Sequence, residues 1–301
     1  MKHVVSVSLG SSSRDHRVRL ELAGQNILVE RIGTDGDIKK ATGIFADLDG
    51  KVDAFGLGGA DLGMLFKGKY YPFHSIKHIA DNARQTPLTD GEGLKSVLES
   101  RAAIVLESKI GFYLDQIGRN VLLVNAVSRW GMAESFITAG YKCTYGDLMF
   151  SLGLPLPVYS LKTITAIARI MGPIVTRLPF SWLYPTEEDT GIHKPKYIKH
   201  YRRASIIAGD CKYISTGIPP GLEGKIIVTN TTTESDIALF KNCGIKYVVT
   251  TTPVFDQRSF GTNVLEAIII ALAAKKEALG LTELQTWIDK LEIEPQIRQL
   301  F

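Results

Sequence analysis

The chain has 301 residues, 45% of them hydrophobic and 22% charged. That length predicts two domains, and the composition excludes wholesale disorder and any need for disulfide or metal staples. Thirty-five Lys and Arg against 31 Asp and Glu leave a net charge of +4, too slight to argue for nucleic acid as a partner.

In chain order, residues 3–9 read as a strand ending at Gly10. Residues 17–22 and 26–32 flank Ala23-Gly24-Gln25 and predict a hairpin. Residues 37–48 have helical periodicity, 52–57 form a strand running into Gly58-Gly59, and 74–84 a helix with Ile76, Ile79 and Ala80 on one face. Val121-Leu122-Leu123-Val124 is continuously apolar, as a parallel strand buried on both faces must be. A turn over 125–131 leads into a helix at 132–139, stopped by Gly140, and then a strand at 141–145 ending in Gly146-Asp147. Strands follow at 204–208, 225–229 and 245–250, with a helix over Glu234–Asn242 and a last long helix from 262 to 279. The Pro-rich stretch 154–201 reads as a helix plus an excursion loop, and 282–285 as a capping box.

These elements predict an α/β protein of two domains. A smaller mixed α/β substrate domain spans 1–110, and a Rossmann-like doubly wound parallel sheet spans 111–262. C-terminal helices over 263–301 return to the cleft between them. Cys143, Cys211 and Cys243 are odd in number and lack zinc-ligand spacing, so they read as thiols in a reducing compartment. The first residues lack an apolar signal-peptide core, and 161–180 carries Lys162, Arg169, Arg177 and Pro173, too charged to span a bilayer. The expected setting is the cytoplasm, with no membrane partner; a homodimer is left open.

A dinucleotide site needs backbone to approach a pyrophosphate at a helix N-terminus. The turn here is Asn125-Ala126-Val127-Ser128-Arg129-Trp130-Gly131, where Asn125 and Val127 stand at two expected glycine positions and Gly131 is near the third. Asp147, 22 residues after Asn125, ends the second strand, where a carboxylate can hold an adenosine ribose. It would repel a 2′-phosphate, so NAD is expected before NADP. Arg129 could reach a phosphate, and Trp130 and Gly209 complete the expected cofactor set. The alternative is a turn that has lost its nucleotide, with Asp147 capping the next segment.

Thr89-Asp90-Gly91-Glu92-Gly93-Leu94-Lys95 places Asp90 at a helix N-terminus and Lys95 about one turn inside. A partly buried ammonium could take or give a hydroxyl proton while the aspartate orients the substrate; the plain alternative is an N-cap beside a solvated lysine. Here the sequence resembles the shikimate/quinate dehydrogenase family, through Thr89, Asp90 and Gly93, and through Gly261-Thr262-Asn263-Val264-Leu265-Glu266-Ala267. The whole chain is also similar to a bacterial group that carries the name quinate 5-dehydrogenase. The resemblance implies Asp90 as catalytic carboxylate and Glu266, where that family presents a Gln, as a substrate contact. The family's Asn-Val-Thr-x-Pro-x-Lys segment is replaced by Gly56-Leu57-Gly58-Gly59-Ala60-Asp61, so Lys95, before Lys77, takes the role of its lysine. Ser11 and Ser13 echo its substrate-carboxylate serines. The implied function is hydride transfer between NAD and a secondary alcohol of a small hydroxylated acid; the alternative is a non-catalytic sensor of a nucleotide or metabolite.

Ser11-Ser12-Ser13-Arg14 with His16 could bind an anion or be a polar turn. His74 and His78 have a zinc-compatible spacing but no third ligand, so no metal is expected. Trp182 and Tyr184 read as core or interface residues. The run His193, Lys194, Lys196, Lys199, His200, Arg202, Arg203 is the one basic patch, interleaved only by Tyr197 and Tyr201; it reads as a solvated face, the alternative being a face that contacts phosphate or nucleic acid.

Overall fold

The computed structural model describes residues 1–179, 195–252 and 261–301, and the backbone alone at 254–255 and 258–259. Trp182, Tyr184, His193 and Lys194 lie outside the described residues. The chain opens with β1 (Lys2–Ser8), the hairpin β2 (His16–Leu22) and β3 (Gln25–Gly33), α1 (Ile38–Leu48) and β4 (Ala54–Gly58). A second hairpin, β5 (Gly63–Phe66) and β6 (Lys69–Pro72), precedes the single turn α2 (Lys77–Ala80) and the short β7 (Leu88–Thr89). Next come α3 (Glu92–Ser100), α4 (Ala102–Ile117), β8 (Asn120–Leu123), α5 (Trp130–Thr138), β9 (Lys142–Tyr145) and α6 (Asp147–Phe150). They are followed by α7 (Leu161–Val175), α8 (Ile198–Arg203), β10 (Ile206–Ala208), α9 (Cys211–Gly217), β11 (Ile226–Thr229), α10 (Glu234–Asn242) and β12 (Tyr247–Thr250). The chain then forms the two-residue pair β13 (Val254–Phe255) and β14 (Arg258–Ser259), α11 (Thr262–Ala273), α12 (Leu281–Lys290) and β15 (Gln296–Gln299).

Two compact units result, each a mixed α/β assembly on a largely parallel sheet. The first gathers Met1–Val97, Gly172–Thr186 and Val254–Ile293; the second gathers Leu98–Met171, Glu187–Pro253 and Glu294–Phe301. Sequence reading sets boundaries at 110 and 262; by contact the divisions fall at Val97/Leu98 and Pro253/Val254, and α11 and α12 belong to the first unit.

In the first unit the sheet order is β2-β3-β1-β4-β7, parallel except for the β2 edge. β1 is central, between β3 and β4, and is buried from Val4 onward with α11 and α1 packed against it. The almost wholly apolar helix α11 packs on β4 and β1. Glycines permit the approach: a Cβ on Gly56 would lie 2.9 Å from the Asn263 carbonyl oxygen, and one on Gly91 2.2 Å from the Asn263 nitrogen. The second unit's sheet runs β15-β12-β11-β10-β8-β9, parallel except for β15. Its core includes Leu122, Tyr201, Ile207, Ile227, Phe240 and Val248, the buried runs that parallel pairing requires.

Three local expectations change. The helix over 74–84 shrinks to Lys77–Ala80, because the Asp49 carboxylate accepts the N–H groups of Arg84, Gln85 and Thr86. The helix from 262 stops at Ala273, where Ala274 takes a left-handed conformation with φ of 52°. The capping residue of α12 is Gly280 rather than Thr282, and Glu283 accepts the Gly280 N–H at 3.1 Å. The hairpin over 63–72, α4, α9 and β15 are additions to the sequence reading. Among the described residues no helix is long and apolar enough to cross a membrane.

Gly91 has φ of +85° as well as its contact with Asn263. Gly91→Ala should therefore combine backbone strain with overpacking and lose about 2–5 kcal/mol in urea unfolding. A loss within about 0.5 kcal/mol, the usual range for a surface substitution, would show that α11 moves aside freely.

Candidate functional site

In parallel α/β sheets, ligands bind beyond the carboxyl ends of the strands. In the first unit those ends, at β4 and β7, carry a cluster of carboxylates. Asp90 follows β7 directly; its Oδ2 accepts the Leu62 N–H at 2.5 Å and its Oδ1 the Glu92 N–H at 3.0 Å. Glu92 opens α3, accepts the Leu65 N–H at 3.1 Å and is ion-paired through its other oxygen with Lys95, three residues on. Two carboxylates thus anchor the β5–β6 segment through its backbone. Tyr70 of β6 lies across Gly63, where a Cβ would stand 2.5 Å from the Tyr70 ring carbon Cζ.

Behind them sits Glu266 of α11, 3% exposed. Its Oε1 accepts the Thr89 hydroxyl at 2.5 Å and its Oε2 the Leu94 N–H at 2.6 Å; Thr89 in turn accepts the Gly91 N–H at 3.0 Å. Burial pushes the Glu266 carboxyl up to about 7, against the pull of the Thr89 and Leu94 bonds. Burial likewise lifts Glu92 to about 7 despite Lys95, and raises Asp90 with help from Asp61. Tyr70 is pushed up by desolvation and then by the charges of Asp90, Glu92, Asp61 and Glu266. The cluster therefore retains protons near neutrality, the condition for acid–base work on a hydroxyl.

Asp90 and Lys95 fall in one cluster because the first turn of α3 links them through Glu92. Glu266 joins it from behind, and both its oxygens are engaged by Thr89 and Leu94. Ser11 and Ser13 lie past the end of β1 in an exposed turn, with their hydroxyls 2.8 Å apart. Glu92, Asp61 and Tyr70 were not singled out from sequence; the spacing of Glu92 and Lys95 is the signal that could have found the ion pair.

In the second unit, the order β9-β8-β10-β11-β12 reverses direction between β8 and β10. That is the topological switch point, where such folds hold ligands. The residues expected to bind a cofactor gather there, but they bind one another. The Arg129 guanidinium is paired with Glu99 and, at 2.6 Å, with Asp210. Burial opposes its charge, and Glu99 and Asp210 outweigh that effect, so its pKa rises. Asn125 donates to the Ser128 hydroxyl at 3.2 Å and accepts the Asp210 N–H at 3.0 Å. The Asp147 carboxylate turns inward, accepts the Val127 N–H at 2.8 Å, and is lifted by burial to about 6. Trp130 and Gly131 are buried in the first turn of α5. Gly209 has φ of +144° and admits no Cβ, which would lie 2.4 Å from the Asn125 Oδ1. Glu99 and Asp210 were not singled out from sequence, since nothing in their spacing announces a buried partner for Arg129.

His74 lies outside any helix and meets the Thr176 carbonyl at 3.2 Å, so the spacing with His78 builds no ligand pair. No group of three or more His, Cys, Asp or Glu able to hold a metal occurs among the described residues.

Residues 93–300 match the family model described as Domain of unknown function (DUF8754), and the chain belongs to that family. Residues 3–90 match Domain of unknown function (DUF8753). No curated protein matches. A malic enzyme from Entamoeba histolytica is 14% identical with a TM-score of 0.42, over 94% of this chain and 60% of that one. The chain thus spans less than two thirds of that enzyme's length. A periplasmic ribose ABC transporter from Conexibacter woesei is 11% identical, TM-score 0.38, over 96% and 94% of the two chains. A galactofuranose binding protein is 10% identical, TM-score 0.38, over 100% and 95%. Similarities this weak carry no functional inference.

Two predictions follow from the buried charges. In the folded protein Glu266 keeps its proton up to about 7, against 4.5 for a free glutamate, so the folded state holds an extra proton between those values. Its contribution to stability therefore falls as pH rises through that window. Glu266→Gln removes this slope and can still serve Thr89 and Leu94. Urea unfolding should find it more stable than the parent by about 1–3 kcal/mol above pH 7, with the gain fading toward pH 4.5; parallel pH curves for the two proteins would contradict this. Arg129→Met strands Glu99 and Asp210 and should cost about 3–5 kcal/mol. A cost below about 1 kcal/mol would mean that the three charges are effectively solvated.

Proposed function

We propose that the first unit carries an acid–base site for a small hydroxylated molecule, and that the chain is an oxidoreductase acting on a secondary alcohol of a quinate- or shikimate-like acid. The observation that carries this reading is the Asp90–Glu92–Lys95 cluster at the carboxyl ends of β4 and β7, where burial keeps protons on carboxyls near neutrality. Asp90 has lone pairs left beyond its two backbone bonds and orients the hydroxyl. Lys95, coupled to Glu92, takes and returns its proton. Glu266 is a positioning residue in this scheme, since it fixes the start of α3 from beneath.

Alcohol–ketone interconversion needs a hydride partner, and a nicotinamide cofactor, NAD before NADP, is the one the family resemblance implies. A Rossmann-like, doubly wound second unit would hold it at the β8/β10 switch point. The side chains there do not fit that group as they stand: Arg129 is neutralised by Glu99 and Asp210, and Asp147 closes on Val127. This self-contained crevice favours a second reading, a protein of the same fold that binds a small molecule without turning it over. The three free cysteines agree with a reducing, cytoplasmic setting.

The deciding experiment titrates the purified chain with NAD and NADP, following the fluorescence of Trp130 in the first turn of α5, and then assays a panel of hydroxy acids. The oxidoreductase reading expects saturable binding that prefers NAD, turnover of a hydroxy acid, and a fall of about 10²–10⁴ in kcat for Asp90→Asn at unchanged cofactor affinity. A folded protein that binds neither nucleotide and turns over no hydroxy acid moves the assignment to the binding protein.

A further inference from the structure

His200 and Arg203 of α8 line a cavity that neither the acid–base cluster nor the β8/β10 crevice uses. Its volume is about 410 Å³, within the usual span of small-molecule sites, roughly 300–1,000 Å³. It is lined by Asn120 and Val121 at the start of β8, by β9 along its whole length, and by Leu161, His200 and Arg203. β9 is the edge strand of its sheet, so the cavity lies along the sheet's edge. We propose that this cavity is a second small-molecule site of the second unit, and that it takes an anion joined to a flat ring, of which a nucleoside monophosphate is the simplest form.

Charge supplies the first argument. Lys142, His200 and Arg203 all line the cavity. Among the described residues no carboxylate pairs with any of them. Glu107, which accepts from the cavity-lining Tyr141 hydroxyl, is held by Arg119 at 2.7 Å. Burial lowers the His200 imidazole, and the adjacent Lys199 and Arg203 lower it further. Two cations, Lys142 and Arg203, with an imidazole that a bound anion would help to protonate and with no counter-charge, form a site in which an anion is the missing member.

Shape and surface supply the second. Tyr141, Tyr145 and Tyr159 line the same cavity, and the Arg203 guanidinium stands 6.0 Å from the Tyr159 ring. The Tyr159 ring is 57% exposed, an aromatic face left open where a second flat ring can stack. Cation and ring therefore sit beside each other, as recognition of a phosphate attached to a base requires. Cys143 contributes no reactive group, since burial pushes its thiol up to about 11.

The test uses the full chain, with AMP, inorganic phosphate and adenosine as probes. Calorimetry measures affinity, and the His200 ring titration, followed by NMR, reports location. AMP should bind saturably, while phosphate and adenosine each bind about tenfold more weakly or worse; Arg203→Ala and Tyr159→Ala should each weaken AMP by about tenfold. Bound AMP should raise the His200 pKa. Arg203 and Tyr159 are exposed, so both variants keep the fold, and unchanged thermal unfolding verifies it. No saturable AMP binding at millimolar concentration overturns the proposal. So does phosphate binding as tightly as AMP, or AMP that binds without moving His200 and is therefore held elsewhere.

Discussion

The two hydrogen bonds of Glu266, one from the Thr89 hydroxyl and one from the Leu94 amide, fix where β7 ends and α3 begins. Everything at the site end of the first unit is referred to that point. Asp90 and Glu92 lie between the two bonded residues, and their carboxylates reach out to the Leu62 and Leu65 amides of the neighbouring segment. Glu266 can occupy this place only because α11 comes close to the sheet, and it comes close because Gly56, Gly58 and Gly91 offer no side chain to keep it away. Taking a carboxyl this far from water carries an electrostatic cost, visible in its raised pKa. The return is a helix start whose otherwise orphaned amide is satisfied from below rather than by a surface cap.

The second unit handles charge differently at two places on its sheet. At the carboxyl ends, Arg129 is matched by Glu99 and Asp210, and the neighbouring amides of Val127 and Asp210 are taken by Asp147 and Asn125. Beside the start of β8 and along the edge strand β9, positive groups face a cavity without acids among its lining residues. Neutralised charge cements a fold, whereas unmatched charge around a concavity leaves interaction energy for a partner. The place where fold-level analogy looks for a ligand is thus the more self-sufficient of the two.

Strongly patterned segments were legible in the sequence. The β8–α5–β9 order follows from the run Val121-Leu122-Leu123-Val124, the stop at Gly140 and the spacing to Asp147, and α10 matches its expected span from Glu234 to Asn242. The hairpin β2–β3 was marked by Ala23-Gly24, both of which take positive φ. Tertiary hydrogen bonds decided the rest. Periodicity over 74–84 could not reveal that Asp49, thirty-five residues away from Arg84, would claim three amides. Asp90 and Lys95 were expected together from their helix-start spacing, and they share the first turn of α3 through Glu92. The roles of Glu99 and Asp210 depend on long-range approach to Arg129, 30 and 81 residues off, for which no local pattern exists. Local spacing finds the residues that share a turn; only the fold says which charges will meet.

The antiparallel strand β15 pairs with β12, Tyr247 opposite Gln299, although α11 and α12 of the other unit lie between them in the chain. On the ribosome, the second unit's sheet must wait with one β12 edge open while two helices belonging to the first unit are made. The first unit waits in the same way, because its central helix emerges only after the whole run from Leu98 to Met171 and beyond. Neither unit can finish as its own stretch of chain appears, so the nascent protein passes through a stage with both sheets incomplete. An exposed strand edge at that stage invites pairing with another chain. The interleaved order thus makes both units late-maturing, and yield at high expression should depend on how quickly the last segments find their sheets.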